Sequence, residues 1–217
     1  MIKLISFDFD GTLADSVDFC LEVFDIVFKK YMKENAPSRE DIFGCFGMNE
    51  EGVLRHFMGE DYREEYMKEF ARYHNELHGK KCPEVFPCIR ELLDFLKEKG
   101  VILTILTGRS EMTANISLEY LKIKDYFSFV QTGTAESNDK SSLLKELLKK
   151  YSLKEEEVFY IGDGVSDVLS SRKAGIECLS AAWAESARME ALKEVNGSLL
   201  FTSVKDMQDF LEEKLGK

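Results

Sequence analysis

The 217-residue chain predicts an α/β fold, a doubly wound Rossmann-like parallel sheet with a helical insertion. Three observations predict it. Near-continuous apolar runs, Ile2–Phe7, Val101–Leu106 and Val158–Ile161, read as strands buried on both faces. Amphipathic helical stretches alternate with those runs in the second part of the chain. Between 17 and 81 the apolar residues recur only at helical spacing, so that segment interrupts the alternation.

The first strand stops abruptly at Asp8-Phe9-Asp10-Gly11-Thr12. Two carboxylates so close together repel unless a cation or a proton separates them, and a hard divalent ion such as Mg²⁺ takes oxygen ligands of this kind. An acidic turn after an edge strand would look the same, so the remaining strand ends must decide.

After Ser16, a residue type that caps helices, Val17, Leu21, Phe24, Phe28 and Met32 mark one helix face. Pro37-Ser38 breaks it, and Gly44, Gly47, Gly52 and Gly59 punctuate short pieces holding Ile42-Phe43, Val53-Leu54 and Phe57-Met58. A longer helix is predicted from Tyr62 to His78, with Pro83 and Pro87 at the exit. From residue 16 to 81 there are ten Lys or Arg and fourteen Asp or Glu, which excludes a strongly basic face. Arg55, Arg63, Arg72, Lys80 and Lys81 are its candidates for meeting an anionic substrate, against a background in which such residues usually face water.

Ile89, Leu92, Leu93 and Leu96 predict a helix that Gly100 ends, ahead of the strand from Val101. Then follow a helix over Glu111–Leu121, a short strand over Phe127–Val130, and a helix marked by Leu143, Leu144, Leu147 and Leu148. After the strand Val158–Ile161 come a helix over Ser166–Ala174, a fifth strand beginning at Cys178-Leu179, and a closing helix over Val204–Leu215 after Leu199-Leu200-Phe201.

In such a sheet ligands bind beyond the carboxyl ends of the strands, and reactive residues stand there. Strand one ends in Asp8 and Asp10, the next in Thr107-Gly108-Arg109, a later one in Gly162-Asp163-Gly164 with Asp167 beyond, and Lys140 precedes a helix. Asp8 suits a nucleophile that would take up a phosphoryl group, and Asp10 suits a proton donor and acceptor. Thr107 offers a hydroxyl, Gly108 an unhindered amide, Lys140 a cation, and Asp163 a metal ligand.

Those motifs, in that order, resemble the haloacid dehalogenase superfamily of phosphohydrolases over residues 1–15 and 88–182. The insertion is similar to the mobile cap of the subgroup that includes phosphoglycolate phosphatase and β-phosphoglucomutase. The resemblance implies a helical cap over 16–82 and a core of 1–15 and 83–217. It implies Mg²⁺ held by Asp8, the backbone carbonyl of Asp10, and Asp163, with Asp167 supporting that shell. It also implies a small phosphorylated metabolite as substrate, phosphoglycolate-like monoesters first; the residues expected to meet it are Thr107, Gly108, Lys140 and Arg55. Lys140 is followed by Ser141-Ser142 where many relatives carry proline, and Gly162 stands where some sugar-phosphate mutases are acidic, which favours a hydrolase over a phosphosugar mutase. A signalling receiver also combines acidic residues, a Thr and a Lys, but its phosphorylated Asp ends a middle strand and it lacks a cap-sized insertion.

A net charge of −11 disfavours nucleic acid and anionic membrane surfaces. No apolar run reaches the ~20 residues of a membrane span. The start at Met1-Ile2-Lys3 runs straight into a strand, predicting a cytoplasmic protein. Five cysteines without a C-x-x-C pair predict no disulfide framework.

Overall fold

The computed structural model describes residues 1–135 and 140–216. Six parallel strands, β1 (Leu4–Phe7), β2 (Ile102–Leu106), β3 (Phe129–Gln131), β4 (Val158–Gly162), β5 (Glu177–Ala181) and β6 (Leu200–Phe201), form one sheet in the order β3-β2-β1-β4-β5-β6. In register, Leu4 lies between Ile102 and Val158, and Phe7 between Ile105 and Ile161, so the carboxyl ends of β2, β1 and β4 are level. That alignment puts the residues following β1, β2 and β4 on one rim.

The helices are α1 (Val17–Met32), α2 (Arg39–Gly44), α3 (Glu50–Met58), α4 (Glu64–Lys81), α5 (Ile89–Glu98), α6 (Glu111–Tyr120), α7 (Ser141–Tyr151), α8 (Val165–Ala174), α9 (Met189–Asn196) and α10 (Val204–Leu215). Successive strand residues face opposite ways. Accordingly Ile5, Phe7, Leu103, Ile105, Phe159 and Ile161 pack with Leu92 and Leu96 of α5 and Met207 and Leu211 of α10. On the opposite face Leu4, Leu106, Val158 and Tyr160 pack with Leu144 and Leu147 of α7 and Val168 of α8. Apolar side chains on both faces explain why these strands read as continuous hydrophobic runs.

Helices α1 to α4 hold no strand among the described residues; Phe46 and Met48 form only an isolated bridge. Their interior is aromatic: Phe24 and Phe70 rings lie 4.6 Å apart, and Phe28 and Phe57 5.5 Å, in tilted and edge-on arrangements. This apolar interior continues into the sheet's own core. The short pieces dock on the rim through Asn49, whose N–H donates to the Thr134 carbonyl (3.1 Å) and whose side-chain amide donates to that of Gly133 (3.4 Å).

Two boundaries and one helix cap differ from expectation. The short strand is displaced to Phe129–Gln131, because Phe127 closes a 3₁₀ turn over Lys124–Tyr126. The long helix runs to Lys81. Ser16 precedes α1 without capping it; its hydroxyl donates instead to Asp10 at 2.6 Å.

Candidate active site

Asp8 is the first residue past β1, and its N–H still donates to Ile161 of β4 (2.8 Å). Its Oδ1 accepts the N–H of Phe9 (2.7 Å), whose ring is fully buried and anchors the turn. Gly11, at φ +71°, brings this loop against the one after β4: a Cβ there would stand 2.2 Å from Asp163 Oδ2. Only glycine permits both the left-handed backbone and that approach.

Lys140, just ahead of α7, is 132 residues from Asp8 in sequence and donates to its Oδ2 at 2.7 Å. The same ammonium donates to Asp167 Oδ1 (2.8 Å) and to the Tyr160 hydroxyl (2.8 Å), which engages all three of its N–H bonds. Tyr160 donates in turn to the Leu106 carbonyl (3.2 Å), and Asp167 Oδ2 accepts the N–H of Gly164 (3.0 Å). Burial works against the charged lysine, but Asp167 and Asp8 beside it raise its pKa.

Carboxylate oxygens of Asp8, Asp163 and Asp167 all lie within 4.8 Å of one another. One lysine does not balance three carboxylates. Burial, outweighing Lys140, pushes Asp8 up to about 7, with Asp167 adding to the rise. Burial and then the charges of Asp8 and Asp167 raise Asp163 well above the ordinary range. A crowded, all-oxygen donor set that resists ionisation fits a hard divalent cation, whose charge would reverse both shifts. Thr12, whose hydroxyl lies 3.5 Å from Asp163 Oδ1, completes the polar wall.

Asp10 turns the other way. Arg109 grips it with Nε at 2.9 Å from Oδ2 and Nη2 at 2.6 Å from Oδ1, a bidentate pair in which the guanidinium is only 3% exposed. Burial opposes its charge, yet Arg109 and the Ser16 hydroxyl together hold Asp10 below the usual carboxylate range. Arg109 Nη1 reaches Ser117 Oγ (2.7 Å) and His74 Nε2 (2.9 Å), and His78 Nε2 lies 2.9 Å from Ser117 Oγ. Arginine only donates, so His74 must accept at Nε2 and carry its proton on Nδ1. Burial, reinforced by the Arg109 charge, lowers His74 to about 2 and His78 to about 4, and both rings are neutral at pH 7.

Asp8, Asp10, Gly108, Lys140, Asp163 and Asp167 line one cavity of about 580 Å³ that the α1–α3 region roofs. Thr107 is buried next to it, its hydroxyl accepting the Arg109 N–H at 3.2 Å, and it does not itself line the space. Gly108 meets the roof, since a Cβ there would lie 3.2 Å from Gly47 Cα.

Arg55 must be corrected: it does not line the cavity. Val53 and Leu54 face inward from α3, which turns Arg55 outward, where it pairs with Glu51 (2.6 Å) and covers the Tyr62 ring at 4.4 Å. The cavity's other cationic side chains are Arg109 and Arg188. Arg109, Tyr160, Glu50, Ser16 and Arg188 carry no assignment from sequence. Only Arg109 gave a signal, standing two places after Thr107 at a strand end.

A family model described as haloacid dehalogenase-like hydrolase matches residues 5–181. Among curated proteins the chain is similar to pyrophosphatase PpaX of Anoxybacillus flavithermus, 26% identical over 212 residues covering 97% of each chain. It is also similar to phosphoglycolate phosphatase 1 of Pseudomonas aeruginosa, 26% identical over 188 residues, 81% of this chain and 68% of the other. The solved structure of a hydrolase, haloacid dehalogenase-like family protein SP0104 from Streptococcus pneumoniae, shares the fold at a TM-score of 0.72 and 22% identity, covering 97% and 98% of the two chains.

Proposed function

The chain belongs to the haloacid dehalogenase-like hydrolase family, and on that premise we propose that it is a Mg²⁺-dependent phosphatase that hydrolyses a small phosphorylated metabolite through an aspartyl-phosphate. One observation carries the reading: the buried Asp8 carboxylate lies on the cavity floor with Lys140 as its cationic partner and Asp163 as its anionic neighbour.

An oxygen of Asp8 attacks phosphorus, and the bond from phosphorus to the ester oxygen breaks. Asp10 gives a proton to the departing alkoxide; then, as carboxylate, it takes a proton from the water that attacks the same phosphorus. The phosphorus–Asp8 bond breaks, phosphate leaves, and both aspartates return to their starting states. Arg109 here holds Asp10 ionised, the form that activates water, so before it can protonate the leaving group Asp10 must turn away from the guanidinium and take up a proton from solvent, and it is this protonated form that the attacking water restores.

Gly108 faces the phosphoryl oxygens in this reading, with Thr107 buried beside it holding the turn through the Arg109 N–H, and Lys140 offsets their charge as transfer proceeds. Mg²⁺ would be held by Asp8, Asp163 and the Asp10 carbonyl, with Asp167 behind them, and would supply the positive charge the crowded carboxylates and the phosphoryl group need. Residues 16–82 act as a cap on a core of 1–15 and 83–217, excluding bulk water from the aspartyl-phosphate. Among the described residues no helix is long and apolar enough to cross a membrane, and the net charge of −11 favours neither nucleic acid nor anionic lipid.

The test is a panel of phosphorylated metabolites with Mg²⁺, run beside Asp8→Asn and an EDTA control. Phosphate release that both controls abolish is expected. Full activity in Asp8→Asn overturns the mechanism, and phosphoryl return to the substrate instead of release would make the enzyme a phosphosugar mutase.

A further inference from the structure

We infer that the phosphoester taken by this site carries a heteroaromatic leaving group of about nucleoside size, not a two-carbon acid or a second phosphate. The inference rests on the phosphatase reading and specifies its substrate class.

Space is the first argument. A cavity of about 580 Å³ equals the liquid share of roughly twenty waters at ~30 Å³ each. It lies in the ~300–1,000 Å³ range of pockets that enclose drug-sized ligands. Phosphoglycolate or pyrophosphate would leave most of it wet.

The chemistry of the wall is the second. Away from the acidic floor the apolar part of the lining is Val17 and Phe24 of α1, Phe43 and Phe46 around the end of α2, Met48, and Val53 of α3, with Glu50, Ser166, Ser186 and Arg188 as its polar members. The Phe43 and Phe46 rings lie 5.2 Å apart at 50°. Gly44 and Gly47 stand between and beside them without side chains, and a Cβ at Gly44 would meet nothing within 4 Å. Such a surface gains by covering an apolar or aromatic body and gains nothing from a hydrated anion.

The third argument counts cations. A carboxylate or a second phosphate in the leaving group needs one, because an unpaired buried anion is strongly disfavoured. Lys140 has given its N–H bonds to Asp8, Asp167 and Tyr160, and Arg109 is bound to Asp10, Ser117 and His74. Arg188 is the remaining cationic lining residue among the described residues, and its guanidinium lies 5.1 Å over the Phe43 ring. A guanidinium stacked on an aromatic ring continues a flat surface and points N–H donors along its edge. A heteroaromatic ring bearing carbonyl acceptors answers both features, the ring stacking on Phe43 or Phe46 and an acceptor meeting Arg188.

The experiment compares kcat/KM, with Mg²⁺, for phosphoglycolate, pyrophosphate, pyridoxal 5′-phosphate, and a pyrimidine and a purine nucleoside 5′-monophosphate. We expect a heteroaromatic ester to lead by at least about tenfold, since stacking one base on an aromatic side chain is worth about that much or more. Phe43→Ala, Phe46→Ala and Arg188→Gln should each shrink that preference, mainly by raising KM for the heteroaromatic ester, and the arms of the panel separate pyridine from nucleoside chemistry. A lead for phosphoglycolate or pyrophosphate overturns the inference, as does an unchanged preference ratio in all three folded variants. If no ester is hydrolysed, the phosphatase reading falls while the pocket remains testable: calorimetry on Asp8→Asn with Mg²⁺ compares these esters with inorganic phosphate. Tenfold tighter binding of a heteroaromatic ester upholds the pocket, and equal binding overturns it.

Discussion

Replacing Arg109 with Met leaves the Asp10 carboxylate without its bidentate partner in a place where the guanidinium was 3% and the Asp10 side chain 19% exposed. Methionine keeps the length of the chain that covers the Phe9 ring, which lies 4.6 Å from the guanidinium. The loss is therefore electrostatic and polar more than steric. Breaking a buried pair from one side costs about 3–5 kcal/mol. At ~2–4 °C per kcal/mol for a chain of this size, Tm should fall by about 6–20 °C. Urea unfolding followed by circular dichroism, in EDTA so that no metal contributes, measures it. Asp10→Asn and the double variant complete a cycle, and the double should cost at least ~1 kcal/mol less than the sum of the singles. A loss below ~1 kcal/mol, or strict additivity, would refute the account of Asp10 as a carboxylate held by Arg109.

Three further outcomes are expected. His78 has a folded pKa depressed to about 4 from 6.5, so its contribution is fully present above pH 6.5 and is lost as pH falls towards 4. The stability advantage of wild type over His78→Asn should shrink by up to ~3 kcal/mol across that window, and an advantage independent of pH would show that the ring is not held neutral. Adding Mg²⁺ to ~100 times its Kd should stabilise the protein by about 2.7 kcal/mol, seen as a rise in Tm that Asp163→Ala removes; an equal rise in that variant would place the ion elsewhere. In Gly52→Ala the new Cβ would lie 2.5 Å from the Ala135 carbonyl oxygen and 2.9 Å from its Cα, backbone that cannot rotate away. That substitution should cost about 1–3 kcal/mol and raise KM by shifting α3 off the rim, and a wild-type Tm with wild-type KM would argue against tight docking there.

What could be read from sequence followed the range of the interactions involved. The inner strands are buried on both faces, and burial on both faces leaves a near-continuous apolar run such as Val101–Leu106. β3 and β6 lie at the sheet edges, are three and two residues long and only half-buried, and so leave a weak trace. Asp8, Asp163 and Lys140 were legible because strand-end chemistry is local to each motif. Arg109 showed its strand-end position but not its role, because its partner Asp10 is 99 residues away and an arginine after a strand ordinarily faces water. Tyr160 reads as one more apolar strand residue until the register places it beside Ser6 and the fold brings Lys140 to its hydroxyl. Arg55 was misplaced for the converse reason, since which face of a nine-residue helix turns inward is decided by packing that composition does not encode.

The four residues Thr107 to Ser110 connect the roof of the site to its floor. Thr107 accepts the N–H of Arg109, Arg109 grips Asp10, and the N–H of Ser110 donates to Glu50 Oε2 at 2.7 Å. Glu50 belongs to the first turn of α3, and its other oxygen accepts the Thr113 hydroxyl of α6. Gly108, between them, is the point where the roof comes closest, through Gly47. A movement of α3 away from the rim must therefore break the Glu50 bonds to Ser110 and Thr113, next in the chain to the residue that sets the charge on Asp10. Arg109 is tied to α4 as well, through His74. The group proposed to move protons is thus held by a residue bonded to α4 through His74 and to α1 through the Cys20 sulfur (3.2 Å), while its chain neighbour Ser110 is bonded to α3, and opening the roof and freeing Asp10 from Arg109 become parts of one rearrangement. The Arg109 cycle reads the Asp10–Arg109 part of that coupling: an Asp10 that behaves identically with and without the arginine would separate the two events.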